Sequence, residues 1–376
     1  MIAQKRNKFL NTLILFIFLL GSAVFAQKTD KKEMNKKRNI SKSKKTKKRR
    51  RKFTLGNNKM PRLKKGIKLP KAYLRGIYLN NQKSISPRFI QRMIPRAKEA
   101  GINCFVMDVA PYMSFRPRIR PKIIKSLIDQ GIYPIARIVA FQYGLKRKKV
   151  TQKYLNKIFK LVDLSVKAGF KEIQLDYIRF ADGYWKLSLK KKYRFISNLL
   201  KIVKKRINNS NIPLATDVFG RIVYNRNDVI GQQLENMAKY ADVICPMVYP
   251  SHYYPDRYKV RNPYFTVRQS TVKGLNRVGK KTLIMPYIQA FHIRVSPSRL
   301  SFEKYMERQM QAVEDTPARG WIFWNARIKY HRLFRMLKAY YARYPEKLKT
   351  NNPGNYNPET GEVPSVVLQR YKKYSK

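Results

Sequence analysis

From residue 73 to about residue 344 the chain alternates short apolar runs with longer amphipathic ones. The apolar runs fall at 73–79, 102–109, 133–140, 172–178, 213–218, 242–249, 282–288 and 321–324. Short, nearly continuous runs rich in β-branched and aromatic residues predict strands covered on both faces. The intervening segments carry the helical period. The first opens at Ser86-Pro87, with serine as cap and proline in the first turn, and ends at Gly101. Others are predicted over 121–130, 151–168, 187–207, 230–240, 266–278 and 302–313, with a closing helix at 331–343. Eight alternating units imply a parallel sheet. Eight in roughly 250–270 residues match a TIM (β/α)₈ barrel. A doubly wound open sheet is the competing α/β fold, but it carries a Gly-rich phosphate turn after its first strand. Gly76-Ile77-Tyr78 supplies none.

The ends of the chain read differently. Lys5, Arg6 and Lys8 precede an apolar run over 9–20 and then small residues up to Ala26. That is the layout of a secretory signal peptide over 1–26, with an uncleaved anchor as the alternative. No cysteine lies near the cut, which argues against a lipoprotein. Residues 27–71 are almost all Lys, Arg, Asn, Ser and Thr, and cannot bury enough apolar surface to offset chain entropy. This segment is expected to be disordered, serving as a tether to an anionic envelope or as a spacer. The barrel domain is placed at 72–344 and a C-terminal extension at 345–376.

Charge narrows the partners. The chain has 83 Lys+Arg against 21 Asp+Glu, a net charge of +62. Nucleic acid, anionic lipid and acidic polysaccharide all suit such a surface, and a Lys-rich proteome would also produce it. Export weakens the nucleic-acid reading and places the protein in the periplasm, on the cell surface or outside the cell. Cys104 and Cys245 fall in separate predicted strands and are expected to be free, buried thiols.

In a barrel the site is built at the C-terminal ends of the strands. Glu172, Gln174 and Asp176 share one face of strand four, so Asp176 points inward at the open end. Asp217 holds the equivalent place on strand five, and Asp108 ends strand two. Neighbouring carboxylates at strand ends suit glycoside hydrolysis, one protonating the leaving oxygen and the other attacking carbon or activating water. The alternative is a structural ion pair with Arg137 or Arg179. Tyr177, Phe219, Tyr249, Tyr253, Trp321 and Trp324 offer flat faces for a sugar, and His252, Gln289 and Asn325 offer hydrogen bonds. Glu172 and Asp242 start their strands and read as structural. Metal-ligand spacing, a Gly-x-Ser-x-Gly elbow and a phosphate loop are all absent, so no metal or cofactor is expected.

The stretches 76–78, 133–139, 172–180, 217–220, 231–232, 246–253 and 321–325 together resemble the bacterial putative glycoside hydrolase family, TIM-barrel proteins of unknown substrate. The resemblance runs from about Arg75 to Asn325 and implies hydrolysis of a glycosidic bond. Family relatives tend to carry further acidic or lysine residues after strand two, where Ala110-Pro111-Tyr112 stand here. They also tend to carry an aspartate after strand three, where Gln142-Tyr143 stand, and after strand seven, where Ala290 stands. The expectation is an envelope-acting hydrolase with Asp176 as nucleophile or base and Asp217 as acid, roles that could be reversed. Arg137, Tyr177, Arg179, Tyr249 and Gln289 would orient the sugar. A non-catalytic polysaccharide-binding protein held by its basic arm is the alternative, and binding of nucleic acid or lipid through the arm a third.

Overall fold

The structure, a computed structural model, describes residues 73–349 apart from 113, 147–149 and 279–281. The segments assigned to a signal peptide and a basic arm, and most of the C-terminal extension, lie outside the described residues. Parallel strands form one closed sheet: β1 (Leu74–Leu79), β2 (Cys104–Asp108), β3 (Tyr133–Val139), β4 (Glu172–Asp176), β5 (Leu214–Phe219), β6 (Val243–Met247), β7 (Leu283–Ile284), β8 (Tyr287–Gln289) and β9 (Gly320–Trp324). Pairing of β5 with β6, and of β1 with both β2 and β9, completes the ring. β7 and β8 are two pieces of one stave, since β6 pairs with both. Pro286 stands between them and has no N–H for the ladder, so the seventh strand expected at 282–288 is interrupted there. The fold is therefore the TIM barrel, with eight staves.

The long helices cover the outside: α1 (Pro87–Glu99), α2 (Pro121–Asp129), α3 (Gln152–Lys167), α4 (Leu189–Arg206), α5 (Pro263–Val278), α6 (Phe302–Glu314) and α7 (His331–Arg343). The cap predicted for α1 is formed as expected, with Ser86 Oγ accepting from Phe89 N at 3.3 Å and proline in the first turn. One expectation fails. In place of a helix over 230–240 there is a single turn, Leu234–Met237, after a 3₁₀ turn at Gly220–Val223. The lost length goes into a loop that carries Asp228 and Gln232. Gln232 accepts from Phe219 N at 3.0 Å and donates to the Asp217 carbonyl at 3.2 Å, clamping the end of β5. Gly220 is needed at that corner, because a Cβ there would run into the backbone carbonyl of Met247. Beyond the predicted domain end, Glu346–Lys349 forms one more helical turn, and Lys347 Nζ donates to the Tyr340 hydroxyl at 2.6 Å.

Inside the barrel, side chains stack in layers along the inward positions. At the bottom, Glu172 is fully buried and paired with Arg319 at 2.7 Å, beside the Tyr133 hydroxyl. In the middle, Gln174 bridges the Cys245 thiol (3.1 Å) and the Tyr287 hydroxyl (2.8 Å) among Val106, Ile135, Ala215 and Ile322. Both cysteines are buried and free. The lower layers thus form a packed plug, and polar chemistry is confined to the C-terminal mouth. Glu172 and Asp242 sit at the bottom and have protein partners, Asp242 bonding Lys204 and Leu214 N.

Removing one partner of a buried pair leaves an uncompensated charge. Arg319→Ala is expected to lower unfolding free energy by about 3–5 kcal/mol, read by urea denaturation. A loss below ~1 kcal/mol would mean that water reaches Glu172.

Candidate active site

Strand alternation aims Tyr78, Asp108, Arg137, Asp176 and Asp217 into the mouth from five consecutive strands, β1 to β5. Arg137 is the hub. Its guanidinium donates to Asp108 through one terminal nitrogen and to Asp176 through the other, with Nε also donating to Asp176 at 3.0 Å. The same Nε lies 3.7 Å from Asp217 Oδ2. Its plane sits 5.2 Å over the Tyr78 ring, whose hydroxyl donates to Asp108 at 2.6 Å. Arginine stays charged in proteins, so three carboxyl groups divide one fixed positive charge. Of the two alternatives left open for Asp176, the ion pair with Arg137 is the one formed, and Arg179 takes no part in it.

The three aspartates are not equivalent. Asp176 is saturated, Oδ2 by Arg137 and Oδ1 by the backbone N–H of Tyr177. Tyr177 adopts φ 53°, a left-handed conformation that is unusual for tyrosine and orients that N–H back onto the carboxylate. Asp217 is 1% exposed, and its Oδ1 is buried with no hydrogen-bond partner. Burial first, and then contact with Asp176, push its carboxyl well above the usual aspartate range. Burial also raises Asp108, against the pull of Arg137 and the Tyr78 hydroxyl. The two carboxyl groups are thus unequal: Asp176 is held by Arg137, and burial beside it disfavours the charged form of Asp217.

Their separation bears on chemistry. Arg137 Nε donates to Asp176 and lies 3.7 Å from Asp217 Oδ2, so the two carboxyl groups gather around one nitrogen. Inverting glycosidases hold their two carboxyls about 6.5–9.5 Å apart to admit a water.

Around the pair lies an aromatic wall. Trp324 is half-buried and lies near Tyr78 (6.0 Å between centroids), Tyr249 (5.9 Å) and Phe291 (5.6 Å). His252 is exposed, sits edge-on to Tyr249 and Phe291, and shares a 2.9 Å hydrogen bond with Ser251 Oγ. Half-buried Phe219 has Arg179 at 4.9 Å and Arg221 at 5.1 Å from its ring. Arg179 gives one terminal nitrogen to Asp182 and the Phe180 carbonyl.

Four expected contributors are turned to the protein instead. The Gln289 amide donates to Phe291 O and Ile293 O and accepts from Ser251 N and the Tyr305 hydroxyl, so it ties two rim loops together. Asn325 donates to Ala290 O and accepts from Arg327 N. Trp321 is fully buried, and the Tyr253 hydroxyl is bonded to Ser270 at 2.9 Å. Among the described residues, no group of three or more His, Cys, Asp or Glu is placed to hold a metal ion.

Other rim residues carry no strand signal and were not counted among the site residues. Tyr112 and Tyr143 are each 40% exposed and meet edge-on at 6.2 Å. Phe291 likewise follows a strand in a loop. The inward step from Gly76 to Tyr78 would have pointed to Tyr78.

A closed parallel barrel with polar side chains gathered at its C-terminal mouth is the arrangement that TIM-barrel enzymes of many chemistries share. The chain resembles the bacterial putative glycoside hydrolase family: residues 147–330 match the family described as "Putative glycosyl hydrolase domain". The match takes in β4 to β9, the part of the predicted span that holds Asp176 and Asp217. Among solved structures, the endo-beta-1,4-mannanase from Thermotoga petrophila is 12% identical, with a TM-score of 0.54 over 76% of this chain and 78% of that chain. A second structure, the hyperthermostable endo-1,4-beta-D-mannanase of Thermotoga petrophila RKU-1 with maltose and glycerol, is also 12% identical. Its TM-score is 0.52, covering 72% of this chain and 99% of that one. At such identity these likenesses bear on the fold. No curated protein matches the chain.

The raised Asp217 carboxyl has a stability consequence. A carboxyl held protonated in the fold costs stability as pH rises above its ordinary unfolded value of about 3.9, and up to its folded value. Asp217→Asn keeps a donor toward Asp176 and removes that cost. Its melting temperature is expected to exceed wild type at pH 7–8 and to converge with it near pH 4, by calorimetry. An equal drop at every pH would contradict a protonated Asp217.

Proposed function

We propose that the protein is a glycoside hydrolase acting on a cell-envelope or extracellular polysaccharide, with Asp217 as the proton donor. The observation that carries this reading is the buried, partnerless Oδ1 of Asp217 beside a carboxylate locked by Arg137. A carboxyl held protonated by burial can protonate a glycosidic oxygen at neutral pH. Carboxyl groups gathered at the mouth favour the positive charge that develops on the sugar ring. Asp217 gives its proton to the leaving oxygen as the C–O bond breaks, Asp176 faces the charge that develops on the ring, and a water entering at the mouth attacks the anomeric carbon and returns its proton to Asp217. Tyr177, Phe219, Tyr249, His252 and Trp324 would contact the sugar, with Arg179 at its edge. Arg137 and Asp108 hold the pair, and Gln289 and Asn325 shape the wall.

The second reading, a non-catalytic polysaccharide-binding barrel, is favoured by one observation: both oxygens of Asp176 are spent on protein donors. A glycan panel read for reducing ends and binding together separates the two. Wild type is expected to release reducing ends from at least one envelope glycan. Asp217→Asn should lose about 10²–10⁴-fold in rate, the usual worth of a general acid, with its glycan binding retained. Binding without release by wild type would favour the second reading. Equal turnover in wild type, Asp176→Asn and Asp217→Asn would sink the assignment.

Export and a role for the basic arm belong to the same proposal. Lys5, Arg6 and Lys8 ahead of the 9–20 apolar run support export to the periplasm, surface or medium. Deleting 27–71 is expected to reduce salt-sensitive retention on isolated envelopes while leaving turnover intact. Unchanged retention would make the arm a spacer.

A further inference from the structure

The arm is not the sole source of charge: residues 73–349 carry 55 Lys+Arg against 17 Asp+Glu. Acids are unevenly spread over the outer helices. On α6 and α7 most of the cations are paired: Lys304 and Arg343 with Glu307, Arg332 and Arg335 with Glu303, and Lys338 with Glu99. On α3 and α4 the one acid is Asp163, bonded by Arg206 at 2.6 and 2.9 Å, and Lys204 reaches Asp242. Arg206 also lies 5.2 Å over Phe159, so the two helices are joined into one face. Nine other exposed cations on these helices have no ion pair among the described residues, and like charges packed this densely repel one another. Among the described residues no further acid offsets that repulsion, which an external polyanion would.

We propose that the α3–α4 flank is a docking surface for an anionic polysaccharide. Among large exposed apolar side chains, Ile202 alone lies on these helices, whereas a helix face seated in a membrane needs an apolar stripe. No exposed aromatic lies within the two helices to stack bases, and Trp185, which precedes α4, lies against Lys192. The choice of a glycan over duplex nucleic acid rests on the glycosidase reading above. The two helices follow β3 and β4, the strands that carry Arg137 and Asp176, so a chain bound along the flank lies on the β3–β4 side of the mouth.

The test uses the full chain and immobilised polygalacturonate as the probe. The flank variant is K160Q/K167Q/R194Q/K201Q/K205Q. The control, R88Q/R92Q/K98Q/R308Q/K329Q, removes the same charge elsewhere, at residues equally exposed. Far-UV circular dichroism checks that both fold. At ~50 mM salt the flank variant is expected to bind at least tenfold more weakly, with a shallower salt dependence, and the control to stay within about twofold of wild type. Equal losses in both would reduce the effect to net charge, and no loss in the flank variant would remove the surface from binding; either overturns the proposal. So would a flank effect seen only on anionic vesicles or only on duplex DNA. Hydrolysis is not read in this assay, so a chain that binds but releases no reducing ends refutes the proposed activity and leaves the flank standing.

Discussion

One buried guanidinium organises the mouth of this barrel. Arg137 stands between Asp108 and Asp176 and within reach of Asp217, and its charge lets two carboxylates remain in a water-poor site. It does not suffice for three. The geometry allots Asp108 and Asp176 direct bonds and leaves Asp217 with a longer approach and a bare Oδ1. Unequal sharing of one cation thus makes two chemically distinct aspartates from identical side chains, as burial and partners do wherever an enzyme separates acid from base.

The lower barrel keeps that arrangement rigid. The Glu172–Arg319 pair and the Gln174 bridge fill the bottom and middle of the barrel with partnered side chains. The mouth gathers three aspartates around one arginine, in a chain of net charge +62.

Most of this was legible in the chain. Period-two alternation placed Asp176 on the inner face, with Asp217 at the equivalent place, because a strand's side-chain direction is fixed locally. What alternation cannot supply is the partner across the barrel, and so Arg137 was left between a sugar contact and an ion-pair partner, although it is the hub of the site. Gln289 and Asn325 misled for a related reason: loop carbonyls at 290, 291 and 293 consume their amides, and loop paths are not encoded in a strand's period. The helix expected at 230–240 shrank to one turn because tertiary contacts overrode its periodicity, with Gln232 recruited to clamp β5. Pro286 was readable beforehand as a break in the seventh strand. Tyr112 and Tyr143, in loops, carried no periodic signal.

The account turns on where the proton sits. Carbon-13 NMR of aspartate-labelled protein, with Asp217→Asn used to assign its resonance, would follow that carboxyl directly through a pH titration. The account predicts a chemical shift typical of a protonated carboxyl at neutral pH, titrating well above the ordinary value of about 3.9. A carboxylate shift at neutral pH, with titration at or below that value, would contradict it.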